Sequence, residues 1–134
     1  MTVRFISFIL VAVLAQSANA RDFVGADIYY YGWTVVTRGR LTLDFVRRNA
    51  SMKSYAGPSE TDHLVTLLRL DKMAIAKAGD DRSTDPRLVI DLWDEAGRRT
   101  TVYAGTSSLV SEDGRRWRDL DREFKQHFTF GPVP

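Results

Sequence analysis

Residues 88–104 read Leu-Val-Ile-Asp-Leu-Trp-Asp-Glu-Ala-Gly-Arg-Arg-Thr-Thr-Val-Tyr-Ala, and this stretch decides the fold. Its first six residues are a short apolar run of strand length. Asp94-Glu95-Ala96-Gly97 then puts glycine last in a four-residue turn. Residues 98–104 return through Thr100, Thr101, Val102 and Tyr103, the β-branched and aromatic types that favour strands. Two strands joined by so tight a turn make an antiparallel hairpin. A second hairpin follows, because residues 109–111 and 115–118 flank Glu112-Asp113-Gly114.

Outward from this centre the periodicity changes. Downstream, residues 119–128 place Leu120, Phe124, His127 and Phe128 on one helical face, which predicts a closing amphipathic helix. Upstream, residues 79–86 are a polar loop with three aspartates. Before it, Leu64, Leu67, Leu68 and Ile75 recur at helical spacing, Ser59 and Asp62 resemble a capping box, and Gly79 suits a stop. Residues 60–77 therefore read as mostly helical, with a strand over residues 63–70 as the alternative. A shorter helix is predicted over residues 43–51, capped by Thr42 and stapled by Leu41 against Val46. Residues 27–38 alternate aromatic and β-branched side chains and read as a strand, with Gly32 marking a bulge or close approach. The expected fold is α+β, a small single domain with an antiparallel sheet of about four to five strands and helices packed on one face.

Residues 1–20 have a different character. One arginine, Arg4, precedes an apolar run over residues 5–15, and Ala18-Asn19-Ala20 supplies small residues at the −3 and −1 positions of a cleavage site. This pattern predicts a cleaved Sec-type signal peptide and a domain over residues 21–134, exported to the periplasm or secreted, with no membrane span after cleavage. Of 134 residues, losing 20 leaves 114; of 19 basic side chains, losing Arg4 leaves 18 against 17 acids. A nearly neutral domain carries no footprint for nucleic acid. The absence of cysteine in an exported chain points to a bacterial envelope, since small secreted animal domains are usually stapled by disulfides.

The residue inventory limits the chemistry. Without cysteine there is no thiol catalysis, and no Gly-x-Ser-x-Gly or Ser-x-x-Lys pattern marks a serine nucleophile. Asp80, Asp81 and Asp85 lack the spacing of a calcium loop, and His63 and His127 fall in different elements, so no metal and no cofactor are expected. A carboxylate-based hydrolase needs only two placed acids, but Glu60, Glu95, Glu112 and Glu123 sit where caps, turns and helix surfaces are expected.

What the chain offers is basic and aromatic residues in the hairpins. Arg98 and Arg99 lie in the first, and Arg115, Arg116 and Arg118 bracket Trp117 in the second; Tyr30 and Trp93 are candidate outward rings. Arginine and tryptophan are enriched in binding hot spots. If the hairpins adjoin, these residues form a positive strip suited to an acidic protein surface or an anionic polymer; the competing reading is a solvated edge whose charges deter aggregation. The leading expectation is a protein-binding module of the envelope, most concretely an inhibitor or immunity protein that blocks a partner. A binder of an anionic or sugar ligand, and a small carboxylate hydrolase, are the alternatives.

Overall fold

The run of apolar residues in the first hairpin is long enough to be buried on two sides, and the chain arranges itself around that requirement. The structure, a computed structural model, describes residues 23–79 and 84–128. The expected signal peptide, and Asp80 and Asp81 of the acidic loop, lie outside the described residues. Seven strands form one sheet: β1 (Phe23–Tyr30), β2 (Met52–Ala56), β3 (Ala74–Ile75), β4 (Leu88–Asp94), β5 (Arg99–Ala104), β6 (Ser108–Ser111) and β7 (Arg116–Asp119). Their order is β2-β1-β4-β5-β6-β7-β3, and every neighbouring pair is antiparallel. Among the described residues three α-helices accompany the sheet: α1 (Leu43–Asn49), α2 (Pro58–Leu68) and α3 (Arg122–His127).

The α+β class stands, but the sheet has seven strands where four to five were expected. The additional strands have little apolar character of their own. β2 exposes Met52, Lys53, Ser54 and Tyr55, and β3 is two residues long; both are edges, held by pairing with β1 and β7.

The helices also lie on both faces of the sheet, where one was expected. Leu88, Ile90 and Leu92 of β4 point to one side, where they meet Val102, Ala104 and Leu109 of the sheet, Leu64 and Leu68 of α2, and Phe124 and Phe128 from the α3 end. Val89 points to the other side and continues across the sheet as a row with Tyr103, Val110 and Trp117. Leu41, just before the Thr42 cap of α1, and Val46 within the helix cover that row. An alternating strand needs one covering layer; β4, apolar on both faces, needs two. Full burial of each large side chain contributes about 1.5–3 kcal/mol.

Element ends follow local chemistry. Thr42 caps α1 as expected, accepting from the Phe45 backbone N–H at 3.1 Å, and Asp121 does the same for α3 from Phe124 at 2.7 Å. The first strand differs from its expected span of residues 27–38. It begins at Phe23 and ends at Tyr30, because Gly32 takes φ +134°, outside the strand region, and folds the chain back so that a Cβ there would stand 2.7 Å from Val35 Cγ2.

The helix expected over residues 60–77 stops early. Gly57, without a side-chain cap bond, precedes Pro58 at the first turn, in place of the expected Ser59 cap. Arg69 then adopts a left-handed conformation at φ 50°, and a 3₁₀ turn over Leu70–Lys72 leads into β3. The physical reason lies in β7. Arg118 donates to the carbonyls of Leu68 at 2.8 Å and Leu67 at 3.3 Å, taking acceptors of the last turn that further helix would use.

Candidate functional site

Arg118 of the expected strip and Tyr30, one of the two expected outward rings, serve the core. Tyr30 is buried, stacked edge-on against Trp33 at 6.0 Å, and its hydroxyl accepts from the Trp33 backbone N–H. It is no outward ring; strand alternation turns it into the core on the α2 side and sets Tyr29 against the core beneath α1. Arg118, half-buried, links α2 to α3, since its guanidinium lies 5.4 Å from the Phe124 ring centroid while bonding the α2 carbonyls. Burial lowers its pKa, against the raising influence of Asp121.

Trp117 is half-buried at the end of the Val89–Tyr103–Val110 row and packs against the core beneath α1. Arg116 is its exposed neighbour on the opposite face. Trp117→Ala is therefore expected to lower unfolding free energy by about 2 kcal/mol or more, and Arg116→Ala by no more than about 0.5 kcal/mol, read from urea titrations of each single variant.

The remaining residues divide into two groups. Arg98 and Arg116, one from each hairpin, line a cleft of about 500 Å³ on the α2 side of the sheet, with Thr100, Ser111, Asp71 and Asp94. Arg98 is bound there by Asp94 at 2.8 Å. The Arg98 backbone N–H is the first cause holding Asp94 below the usual carboxylate range, and the Arg98 side chain adds to it. A glycosidase acid needs the reverse, a raised pKa. Arg115 stands apart, at the edge beside residues 75–79, where β3 meets β7.

Arg99 and Trp93 face the α1 side, directly paired across β4 and β5. Gly25 is Trp93's partner on β1, and the Tyr55 ring of β2 lies down over it: a Cβ on Gly25 would stand 2.9 Å from Tyr55 Oη. The result is a row of Tyr55, Trp93 and Arg99 across four strands. Asp27 fixes the indole by accepting from Trp93 Nε1 at 2.9 Å. Tyr55 is 66% exposed, Arg99 is exposed, and Lys53 borders the row beside Tyr29. Burial, and then the carboxylates of Asp27 and Asp91, push the Tyr29 phenol above its ordinary range, so it stays neutral. Tyr55 was not visible as a site residue in the sequence. The signal that marks it is Gly25, whose missing side chain leaves room for the ring.

A charged network anchors α1 above this face. Arg47 donates to both Asp91 oxygens at 3.0 and 2.9 Å, to Thr101 Oγ1 at 3.2 Å and to Asp44 at 2.8 Å, while Thr101 donates to Asp91 at 2.6 Å. Burial disfavours the Arg47 charge, but the hydrogen bonds and charges of Asp91 and Asp44 outweigh it and raise its pKa.

His63 and His127 line one shallow cleft with Asp121 and Glu123, yet among the described residues no three metal-ligating side chains gather closely enough to hold a metal ion. Among the described residues, no helix is long and apolar enough to cross a membrane. No protein-family model, no curated protein and no solved structure matches this chain.

Proposed function

We propose that the protein is an exported, non-catalytic module of the bacterial envelope that docks an acidic surface of a partner protein, most concretely an inhibitor or immunity protein blocking that partner. The observation that carries this reading is the open row of Tyr55, Trp93 and Arg99. Tyrosine, tryptophan and arginine are the residues on which interface energy concentrates. Here they sit on a paired sheet, with the indole fixed by Asp27, so little ordering entropy is lost on docking. Arg99 and Lys53 make the rim basic, and a basic rim selects an acidic partner and accelerates encounter.

The test uses the tagged full chain and a double variant, Tyr55→Ala with Arg99→Glu. Both side chains are exposed, so the melting temperature is expected to hold. Wild type should capture one stoichiometric partner from an envelope extract and depress that partner's enzymatic activity. The double variant should bind at least about thirtyfold more weakly, equivalent to about 2 kcal/mol. Undiminished capture by the double variant, or a partner whose activity is untouched in the complex, would overturn the reading.

A further inference from the structure

The cleft that holds Arg98 and Arg116 lies on the opposite side of the sheet from that row, and it combines apolar walls with charged residues. Its volume of about 500 Å³ falls within the roughly 300–1,000 Å³ typical of small-ligand sites. Phe23, Leu70, Met73 and Val102 give it apolar walls, contributed by β1, the 3₁₀ segment and its exit, and β5. Thr100 and Ser111 add hydroxyls. Four charged residues line it: Arg98, Arg116, Asp71 and Asp94.

These charges are not equivalent. Arg98 and Asp94 neutralise each other through an ion pair at 2.8 Å, reinforced by the Arg98 backbone N–H to Asp94 Oδ1 at 2.8 Å. The Arg116 guanidinium and the Asp71 carboxylate have no ion-pair partner among the described residues, although both line the same cleft. Arg116's backbone N–H is satisfied by Ser111 Oγ, which holds the residue in register and leaves its side chain free to meet a ligand. One unpaired cation and one unpaired anion over an apolar floor complement a molecule that carries both charges and an apolar side chain.

We propose that this cleft binds a zwitterionic amino acid or short peptide with an apolar side chain, its carboxylate on Arg116 and its ammonium on Asp71. Arginine suits the first role, since its planar fork can bond a carboxylate through two parallel N–H groups. The Arg98–Asp94 pair forms a wall of no net charge, so an anion gains nothing there and the selectivity rests on the two unpaired groups. This site is independent of the partner-docking reading, as it uses the other face of the sheet and a different ligand class.

The experiment follows backbone amide shifts of the full chain by NMR during titration with L-leucine, leucyl-leucine, N-acetyl-leucine and leucinamide. Leucine or leucyl-leucine should move Met73, Thr100 and Ser111 saturably; tighter binding of leucine marks a single amino acid as the ligand, and tighter binding of the dipeptide marks a peptide. N-acetyl-leucine lacks the ammonium and leucinamide the carboxylate, and each should bind about tenfold more weakly than leucine.

Arg116→Ala should weaken leucine and N-acetyl-leucine while leaving leucinamide unchanged, and Asp71→Asn should weaken leucine and leucinamide while leaving N-acetyl-leucine unchanged. That crossed pattern cannot come from unfolding, which would weaken all four probes alike. Equal affinities for capped and uncapped ligands, shifts confined to other residues, or no saturable shift with either zwitterion would overturn the proposal. A failure here leaves the Tyr55–Trp93–Arg99 test untouched, because the variants share no residue.

Discussion

Arg47→Ala is expected to destabilise the fold by about 3–5 kcal/mol, the range for breaking a buried ion pair from one side. The partner left behind decides the size. The Asp91 side chain is only 3% exposed in the middle of β4, an interior strand, and without the guanidinium its carboxylate keeps the Thr101 hydroxyl as its remaining described partner. Removing the other member should cost less, because Arg47 can turn toward Asp44, which is mostly exposed. Replacing both at once by apolar residues of similar size, Arg47→Met with Asp91→Leu, should bring stability back close to wild type. Urea unfolding of the three variants checks the order. A single-variant loss below about 1 kcal/mol for Arg47→Ala would show that water reaches Asp91.

Phe124→Ala is expected to have an effect of comparable size, about 3–5 kcal/mol. Phe124 is 1% exposed, tilts against Phe128 with ring centroids 4.8 Å apart, and carries the Arg118 guanidinium over its face. A helix of six residues is too short to stand on backbone hydrogen bonds alone. Its position depends on this ring, so truncation leaves a cavity beneath Leu64 and Leu68 and removes the aromatic surface that Arg118 covers. The loss should appear as a lower urea midpoint, with early hydrogen exchange of the α3 amides. Domains of this kind hold about 5–15 kcal/mol in total, so either substitution removes a large share.

The two hairpins were legible in the sequence almost to the residue, because a short apolar or β-branched run and a terminal turn glycine act over a few positions and need no distant partner. The caps at Thr42 and Asp121 belong to the same local chemistry, although the sequence reading named only the first. What escaped were features decided at long range. β2 exposes four of its five side chains and is a strand because β1 offers it hydrogen bonds. α2 ends at Leu68 because an arginine fifty residues later claims its carbonyls. The placement of helices on both faces was implicit in Leu88-Val89-Ile90, an uninterrupted apolar triplet at a strand's start.

The candidate site was legible in part for the same reason. Trp93 and Arg99 could be picked out by residue type, and strand register brings them together. Residue type says nothing of which side of a strand a side chain takes until the register is known. Hence the single strip expected from Arg98, Arg99, Arg115, Arg116, Trp117 and Arg118 is divided among two faces and an edge.

The order of the strands has a consequence for the time course of folding. β1 is the first described element of the chain, yet it sits inside the sheet, pairing Tyr30 with Leu88 and Phe23 with Asp94, roughly sixty to seventy residues downstream. Those contacts form only after a large loop has closed, which places the protein with domains that fold in milliseconds to seconds. In a nascent chain lacking β4 the pair β1–β2 is the whole of the described sheet that can form, and a two-stranded ribbon is at best marginal in water. The chain therefore stays open to extension and to chaperones until residues 88–104 have emerged, and the hairpin that decides the fold also sets the moment at which folding can begin.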